Sequence, residues 1–337
     1  MEPIRIALIG GSGYTGLEVL RWLARHPHAE VVGIFGFSKT GPIAEIHPIL
    51  AGQVTLDQQP YSPEAVAACG ANLAMLCVPH QVAMSYVPAL REMGLRIIDW
   101  SADYRIKNLA VYEQWYCEHT DAAALGTAAY GLPEFYAEQI KTADIVANPG
   151  CYPTCAILGV APLLQAGLIG PDLIVNAISG VTGAGRNPSQ ANHYPERNEN
   201  FEPYKMGDHR HMPEMEQILG ELTGTAPTVL FVPHLAPLDR GMLATIYATP
   251  ADGVTEEQLY DALEAAYADA PFVRVRRDVI PATKYVANTN FCDVAVRLEK
   301  GKVMIVSAID NLLKGASSQA IQNMNVMYGL DETTGLY

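Results

Sequence analysis

The first half of the chain alternates short apolar runs with segments that are apolar at helical spacing. The run Ile4–Ile9 ends at a glycine-rich loop, and residues 17 to 24 then carry apolar side chains on one helical face. A second apolar run, Glu30–Phe35, follows that helix. Further strands are predicted at Leu73–Val78, Leu95–Asp99 and Ala143–Ala147, and a further helix at Val82–Met93. Strands and helices in alternation predict an α/β fold with a parallel, doubly wound sheet.

The second half of the chain has longer strand patterns, several of which alternate apolar and polar residues. This period of two is typical of a sheet with one solvated or helix-covered face, and an amphipathic helix is predicted at Glu256–Tyr267. The predicted strands are Leu173–Ser179, Val229–Val232, Met242–Thr249, Phe291–Leu298 and Val303–Ile309. We therefore predict a second α/β domain with a mixed sheet at 151–310, after a first domain at 1–150. The segment 311–337 contains a last predicted helix, Lys314–Met327, which we expect to return to the first domain.

Cys151 lies on the connection between a predicted strand and a predicted helix. The strand Ala143–Ala147 precedes it, and the apolar segment Thr154–Ala166 follows it, with Pro153 near the first helical turn, where a missing N–H costs little. The positive end of a helix dipole favours thiolate over thiol. A buried structural cysteine is the alternative, but the turn residues around Cys151 favour a nucleophile.

Composition and charge narrow the classes of partner. The chain has 337 residues, 49% of them hydrophobic and 17% charged, and its net charge of −14 disfavours nucleic acid and anionic membranes as partners. An anionic substrate would therefore need a local basic pocket. The six cysteines form no CxxC pair and no zinc-finger spacing with histidine, so no metal site is expected. Without a signal-peptide pattern or an apolar run of about 18 residues, we expect a cytosolic protein with reduced thiols.

The loop after the first strand has the pattern of a dinucleotide-binding site. Gly11, Gly13 and Gly16 form GxGxxG between a strand and a helix, where the backbone can approach a pyrophosphate at a helix N-terminus. An NAD enzyme would carry an acid at the end of the second strand. This chain has Ser38 and Lys39 there, which suit a 2′-phosphate, so we predict NADP as the cofactor.

A catalytic thiol needs a base within hydrogen-bond reach, and the only dense histidine cluster is His209-Arg210-His211. We expect only one of the two imidazoles to address the thiol. His209 is narrowly favoured, with His211 as the substitute. Candidate cations for an anionic substrate are Arg105, Arg186, Arg210 and Arg240, each in a loop-like context.

Together these segments resemble the N-acetyl-γ-glutamyl-phosphate reductase family, in its longer bacterial form. The segments that carry the resemblance run nearly end to end in unbroken order: Gly10–Gly16, Ser101–Arg105, Tyr130–Glu134, Asn148–Thr154, Ser179–Arg186, His209–Glu214, Pro233–Gly241 and Asp310–Ala316. Two places depart from the family pattern. Trp100 replaces a commonly aliphatic residue, and the loop Phe37–Gly41 differs from the commoner Ser-Arg version.

The resemblance implies a Rossmann NADP domain, an α/β substrate and oligomerisation domain, and a homodimer or homotetramer. It implies reduction of N-acetyl-glutamyl 5-phosphate, a small-molecule acyl phosphate, to the 5-semialdehyde, with Cys151 as nucleophile and a histidine of the His209/His211 pair as base. It also places Asn311 against the nicotinamide. The expected cofactor-binding residues are Gly10, Ser12, Gly13, Tyr14, Thr15, Gly16, Ser38, Lys39, Pro79, Ser179, Gly180, Gly183 and Asn311. The expected substrate-binding residues are Arg105, Asn148, Arg186 and Arg210.

Other functions fit the same motifs. One is a reductase for a carrier-protein-bound acyl phosphate of lysine or ornithine biosynthesis, against which the net charge of −14 argues weakly, because an acidic carrier needs a basic docking face. Another is a dehydrogenase-like enzyme that acts on free aspartyl phosphate. A third, of a different class, is a non-catalytic NADP-binding sensor, which the presence of Cys151, His209 and Asn311 disfavours.

Overall fold

The structure is a computed structural model that describes residues 2–37 and 39–337. Ser38, which the sequence predicts at a 2′-phosphate, lies outside the described residues. The chain divides into two compact units. The first contains the residues up to Pro149 together with Ala316–Tyr337, and the second is Gly150–Gly315. The chain thus returns to the first unit at Ala316, five residues later than the predicted return segment begins.

The first unit is built on a parallel sheet with strand order β3-β4-β2-β1-β5-β6-β8-β7, in which only the short β3 is antiparallel to its neighbour within the described residues. The strands are β1 (Ile4–Ile9), β2 (Ala29–Gly36), β3 (Gly41–Pro42), β4 (Asp57–Pro60), β5 (Leu73–Leu76), β6 (Arg96–Asp99), β7 (Ala129–Tyr130) and β8 (Ile145–Ala147). The helices are α1 (Tyr14–Leu23), α2 (Ile43–Ile46), α3 (Pro63–Ala68), α4 (Val87–Glu92), α5 (Leu109–Trp115), α6 (Pro133–Thr142) and, at the C-terminus, α12 (Ser317–Met327).

The strands β1 and β5 are almost wholly buried apolar runs, as expected where helices cover both faces of a parallel sheet. Strand β1 lies between β2 and β5, so the strand order reverses at β1. The carboxyl ends of these strands therefore border the crevice where doubly wound sheets bind ligands. The predicted doubly wound parallel sheet is confirmed.

The second unit contains a mixed sheet with strand order β10-β11-β9-β12-β15-β14-β13, which confirms the predicted class of this domain. Its strands are β9 (Asp172–Gly180), β10 (Glu202–Pro203), β11 (Thr228–Ala236), β12 (Met242–Ala248), β13 (Val273–Val275), β14 (Cys292–Glu299) and β15 (Lys302–Ile309). Its helices are α7 (Cys151–Gln165), α8 (Tyr194–Arg197), α9 (His211–Thr223), α10 (Glu256–Ala266) and α11 (Thr283–Val286).

One face of this mixed sheet is covered by α7, α9 and α10. The side chains of β9 and β12 alternate between buried and partly or fully exposed, so the opposite face is open in the single chain. Ile174 is 45% exposed on that face and Leu230 is 57% exposed. None of the described helices is long and apolar enough to cross a membrane.

Two predicted helices differ from the structure at their ends. The segment predicted as one helix at 82–93 is a 3-10 turn, Ala83–Ser85, followed by α4, because Pro88 can occupy only the first turn of a helix. The last helix begins at Ser317 instead of Lys314. The carboxylate of Asp310 accepts hydrogen bonds from the N–H groups of Leu312 and Leu313 and folds residues 310–315 into a turn.

Candidate active site

The turn before Cys151 is fixed by buried hydrogen bonds in the first unit. The N–H of Asn148 donates to the carbonyl of Asp99 (2.8 Å), and the Asn148 carbonyl accepts from Nε of Arg105 (2.7 Å). The Asn148 amide donates to the Ala316 carbonyl and accepts from Nδ2 of Asn323. Asn148 is fully buried and Arg105 is 4% exposed. Both residues, which the sequence predicts at the substrate, thus hold the backbone that leads into Cys151.

Cys151 is the first residue of α7, as its position on a strand-to-helix connection predicts. Gly150 caps the helix with extended backbone (φ −67°, ψ 149°), and its carbonyl accepts from the N–H and the hydroxyl of Thr154. From Tyr152 to Leu164 every residue of α7 is buried, so the helix is a rigid support for the half-buried thiol. The positive end of its dipole lies at Cys151.

Two glycines allow close approach to the nucleophile. A Cβ atom on Gly150 would lie 2.6 Å from Nε2 of His211, and one on Gly315 would lie 2.9 Å from Cβ of Cys151. The N–H of Gly150 donates to Oε1 of Glu214 (2.8 Å), whose side chain is fully buried at the start of α9. The helix α9, the turn 310–315 and the start of α7 therefore converge on Cys151 inside the second unit.

The spacing of the two histidines gives no reason to expect that only one of them faces the thiol, because residues i and i+2 lie on the same face of an extended segment. In the structure the pair lies on a turn. Arg210 has helical backbone, the carbonyl of His209 accepts from the N–H of Met212 (2.9 Å), and α9 begins at His211 itself. The two imidazole rings lie 4.8 Å apart, and both contact the ring of Tyr152. The structure therefore brings both rings to one side of the turn.

The environment of His209 keeps its ring neutral. The ring packs edge-on against Tyr152, Tyr204 and Phe231, with centroids 5.3 to 5.6 Å away. Burial, reinforced by the nearby cations of Lys205 and Arg210, lowers the pKa of His209 to about 4. Its Nδ1 accepts from the backbone N–H of His211 (3.2 Å), which places the ring proton of His209 on Nε2.

The cofactor-binding residues predicted in the second unit form one cluster. Oδ1 of Asn311 accepts from the N–H of Gly241 (2.8 Å), and its Nδ2 donates to Oγ1 of Thr182 (3.0 Å). A Cβ on Gly183 would lie 2.9 Å from Oγ of Ser179 and 3.6 Å from Nδ2 of Asn311. The structure thus brings Ser179, Gly180, Gly183 and Asn311 together at the ends of β9 and β15.

The cations considered for the substrate fall into different surroundings. Arg240 pairs with the buried carboxylate of Asp310 (3.7 Å). Arg186 follows the 3-10 turn after β9, and Arg210 precedes α9, both partly exposed in the second unit. Among the described residues, no group of three or more His, Cys, Asp and Glu side chains could hold a metal ion.

In the first unit, the glycine-rich loop has the geometry that a dinucleotide requires. Gly10 has φ +95°, and a Cβ there would lie 2.2 Å from the Cys77 carbonyl, so only glycine fits. A Cβ on Gly16 would lie 2.7 Å from the Gly10 carbonyl, which packs α1 closely on the loop. Gly13, the N-cap of α1, has no protein atom within 4 Å of such a Cβ. Backbone N–H groups at this helix start fit a pyrophosphate.

The other cofactor-binding residues predicted in the first unit lie close to the surface. The same loop carries three partly exposed residues, Ser12, Tyr14 and Thr15, and Pro79 is exposed shortly after β5.

Two buried side chains support the loops after β1 and β2, and neither is identified from the sequence. Nε2 of His47 lies 2.9 Å from the Gly11 carbonyl, and Nε2 of Gln58 donates to the Lys39 carbonyl (2.5 Å). They are 3% and 1% exposed. Glu214, Gly315 and the structural roles of Arg105 and Asn148 were missed as well. The sequence places these residues inside short motifs but does not indicate their contacts, because their partners are distant in the chain.

Comparison with known proteins identifies the class of this fold. Residues 5–143 match the family model described as the semialdehyde dehydrogenase NAD binding domain, and residues 151–311 match the semialdehyde dehydrogenase dimerisation domain. A crystal structure of aspartate semialdehyde dehydrogenase II from Vibrio cholerae, complexed with ASA, superposes with a TM-score of 0.74 at 15% identity, over 98% of this chain and 99% of that one. Aspartate semialdehyde dehydrogenase with NADP from Candida albicans gives 0.72 at 14% identity, over 97% and 99%. The fold is that of the semialdehyde dehydrogenase class.

Sequence relatives define the family within that class. N-acetyl-gamma-glutamyl-phosphate reductase from Rhodopirellula baltica is 47% identical over 99% of this chain and 98% of the relative. The proteins of the same name from Desulforudis audaxviator and Symbiobacterium thermophilum are both 46% identical over 99% of this chain, covering 98% and 97% of the relatives. The chain belongs to the N-acetyl-gamma-glutamyl-phosphate reductase family, as its motifs predict.

Proposed function

We propose that the protein reduces N-acetyl-γ-glutamyl phosphate to N-acetyl-glutamate 5-semialdehyde with NADPH, a step of arginine biosynthesis. The observation that carries this proposal is the identity of 46 to 47% over nearly the whole chain with relatives of that name. The geometry supports it independently, because a thiol at a helix N-terminus beside two imidazoles is suited to acyl transfer. The substrate is then a small-molecule acyl phosphate.

In this proposal Cys151 is the nucleophile. Its thiolate attacks the acyl carbon of the substrate, a C–S bond forms, and the C–O bond to phosphate breaks, which releases inorganic phosphate and leaves a thioester. The dipole of α7 stabilises both the thiolate and the oxyanion of the tetrahedral intermediate. The N–H of Gly150 already binds Glu214, so it orients the turn and does not donate to the oxyanion.

We assign the proton-transfer role to His211, although the sequence narrowly favours His209. Two observations support this choice. The His211 ring lies against Gly150, the residue directly before the nucleophile. His209, with a pKa of about 4, is a weak base at neutral pH and cannot serve as an acid that returns a proton. His209 then orients the start of α9 through its hydrogen bond to the N–H of His211.

The remaining predicted residues take supporting roles. The first unit would hold the pyrophosphate at Gly10–Gly16 and the 2′-phosphate at Lys39, while Ser179, Gly180, Gly183 and Asn311 of the second unit would contact the nicotinamide. When bound, NADPH supplies the hydride that reduces the thioester. Arg186 and Arg210 bind the anionic groups of the substrate. Arg105 and Asn148 position the turn before Cys151 through the hydrogen bonds described above.

The reverse reaction tests this function directly. The purified protein should reduce NADP⁺ in the presence of N-acetyl-glutamate 5-semialdehyde and inorganic phosphate, and the absorbance growth should require phosphate. Aspartate semialdehyde, assayed in parallel, should give much slower growth. Silence with both aldehydes, from folded protein that still binds NADPH, would refute the proposal and favour a carrier-bound substrate.

Lys39 should determine the preference for NADP over NAD. Replacement of Lys39 by alanine removes the cation expected at the 2′-phosphate, and a charge-assisted hydrogen bond contributes about 1.5–3 kcal/mol. We expect the Kd for NADPH to rise roughly tenfold or more and the Kd for NADH to stay unchanged, by isothermal titration calorimetry. Lys141→Ala, which removes an exposed lysine on α6 of the same unit, is the matched control. Equal effects of Lys39→Ala on both cofactors would place the 2′-phosphate elsewhere.

We further propose that the protein forms a homodimer or homotetramer through the open face of the mixed sheet. That face exposes Ile174 and Leu230, and a twofold axis would pair the patch with itself. Leu230→Asp places a charge in this patch, so the mass measured by light scattering should fall to that of a smaller species. Ile49→Asp, at an exposed apolar position of the first unit, should leave the mass unchanged. A wild-type monomer, or an unaltered mass in Leu230→Asp, would contradict the proposal.

A further inference from the structure

Three aromatic rings meet at the carboxyl edge of the sheet in the first unit. Phe37 directly follows β2, Tyr61 directly follows β4, and Tyr86 lies between β5 and α4. Phe37 and Tyr86 are stacked, with centroids 5.3 Å apart and planes 13° from parallel. Tyr61 packs at 4.5 Å from Tyr86 and 5.6 Å from Phe37. We call these three residues the aromatic cluster.

The outer ring of the aromatic cluster is open to solvent. Tyr86 covers one face of Phe37, yet Phe37 is 53% exposed, so the opposite face is available for contact. The Tyr61 hydroxyl oxygen is buried and has no hydrogen-bond partner among the described residues. A buried hydroxyl without a partner costs stability, and such a cost is typical of a site that serves binding.

The position of the aromatic cluster specifies what it would bind. The glycine-rich loop follows β1, which lies between β2 and β5, so the loop and the cluster share one edge of the sheet. In a doubly wound nucleotide-binding sheet, the pyrophosphate lies at the first loop and the adenosine ribose at the end of β2. The base attached to that ribose therefore falls near Phe37. Lys39, the expected partner of the 2′-phosphate, is two residues further along the same loop.

The loop that carries Phe37 is anchored on both sides. The N–H of Tyr61 donates to the carbonyl of Gly36 (3.0 Å), and the buried amide of Gln58 donates to the carbonyl of Lys39. A Cβ on Gly36 would lie 2.4 Å from Nε2 of Gln58, which shows how closely β2 and β4 pack here. Phe37 is thus held in place before any ligand arrives, which lowers the cost of ordering it on binding.

We propose that the open face of Phe37 is the stacking platform for the adenine ring of the dinucleotide, with Tyr86 and Tyr61 holding the Phe37 ring in place. The proposal rests on the cofactor of the proposed function. Every nucleobase has a flat π face, and an aromatic side chain stacks well against such a face.

Calorimetric titrations with cofactor fragments test the platform without relying on turnover. Phe37→Ala should weaken binding of NADPH and of adenosine 2′,5′-bisphosphate, on the order of tenfold for loss of one base–aromatic stack. Binding of reduced nicotinamide mononucleotide, which has no adenine, should not change. Phe37→Trp should bind both adenine-containing ligands at least as well as the wild type. Phe37→Leu, which keeps apolar bulk but has no aromatic face, should behave like the alanine variant.

The outcomes separate this inference from the proposed function. Unchanged binding of adenosine 2′,5′-bisphosphate in Phe37→Ala, while the wild type binds NADPH and turns over, would overturn the platform alone. Wild-type affinity in Phe37→Leu would overturn the stacking role. Weakened binding of all three ligands in Phe37→Ala would indicate a distorted loop and would overturn the platform. Unchanged binding of adenosine 2′,5′-bisphosphate in Tyr86→Leu, which removes the backing ring, would overturn the role of Tyr86.

Discussion

Cys151→Ser should abolish turnover, by roughly 10⁴-fold or more, and leave the Kd for NADPH unchanged. A serine hydroxyl is a far weaker acid than a thiol, so the field at the start of α7 cannot produce a useful concentration of the anion. The cofactor is expected to bind at the loop after β1 in the first unit, whereas residue 151 belongs to the second unit. The measurement is the initial rate of NADP⁺ reduction, with calorimetry for the cofactor.

Cys155→Ser is the matched control for this prediction. Cys155 lies one helical turn deeper in α7, is fully buried, and its thiol contacts the carbonyl of Ser307 (3.3 Å). Burial raises the pKa of Cys155 to about 12, so this thiol is inert at neutral pH. The Cys155→Ser variant should keep its activity and lose only stability. Near-normal turnover in Cys151→Ser, or equal losses in both variants, would remove Cys151 from the mechanism.

The features that could be predicted from the sequence are local ones. The buried runs of β1 and β5, the glycine loop at Gly10–Gly16 and the helix after Cys151 each depend on neighbours in the chain. Periodicity and turn chemistry are sufficient there. A parallel strand covered by helices on both faces must be apolar, and the first turn of a helix, where Pro153 lies, is compatible with proline. The location of the strand-to-helix connection, and with it the candidate nucleophile, follows from such patterns.

The features that could not be predicted depend on partners far apart in the chain. Arg105 reads as a surface cation, but it is buried because the carbonyls of Trp100 and Asn148 accept its guanidinium hydrogen bonds. Gly315 appears in the sequence only as part of the segment Asp310–Ala316, but the close approach of Cys151 requires a glycine there. No local pattern specifies such contacts, because they arise only when the elements pack together.

The histidine pair is an intermediate case, because the sequence identifies the residues but not their geometry. Residues i and i+2 lie on one face of a strand, and this spacing alone does not show that the segment is instead a turn that begins a helix. Pro213 in the first turn of α9 is compatible with a helix that begins at His211, so the helical backbone reaches the pair. That local change places both rings beside Tyr152 and makes the division of roles between them a question of environment.

His211→Asn should lower kcat/KM by roughly 10²- to 10³-fold, because it removes the group that takes and returns a proton beside Cys151. His209→Asn should cost only about tenfold: its pKa of about 4 keeps His209 neutral at working pH, so the variant loses ring packing and orientation but no proton-transfer group. The pH profile of kcat/KM distinguishes the two roles. The limb that reports the proton-transfer group should persist in His209→Asn and vanish in His211→Asn.

The sign of the His209 contribution to stability gives a second check on the same pair. Its folded-state pKa lies below the ordinary value of 6.5, so the unfolded chain binds the proton more tightly between about pH 6.5 and 4. The stability associated with neutral His209 is complete above pH 6.5 and is lost as the pH falls towards 4. His209→Phe should therefore flatten the acid-side fall in the unfolding midpoint relative to wild type. If His209→Phe instead removes the pH limb of kcat/KM while His211→Asn retains it, the proton-transfer role belongs to His209.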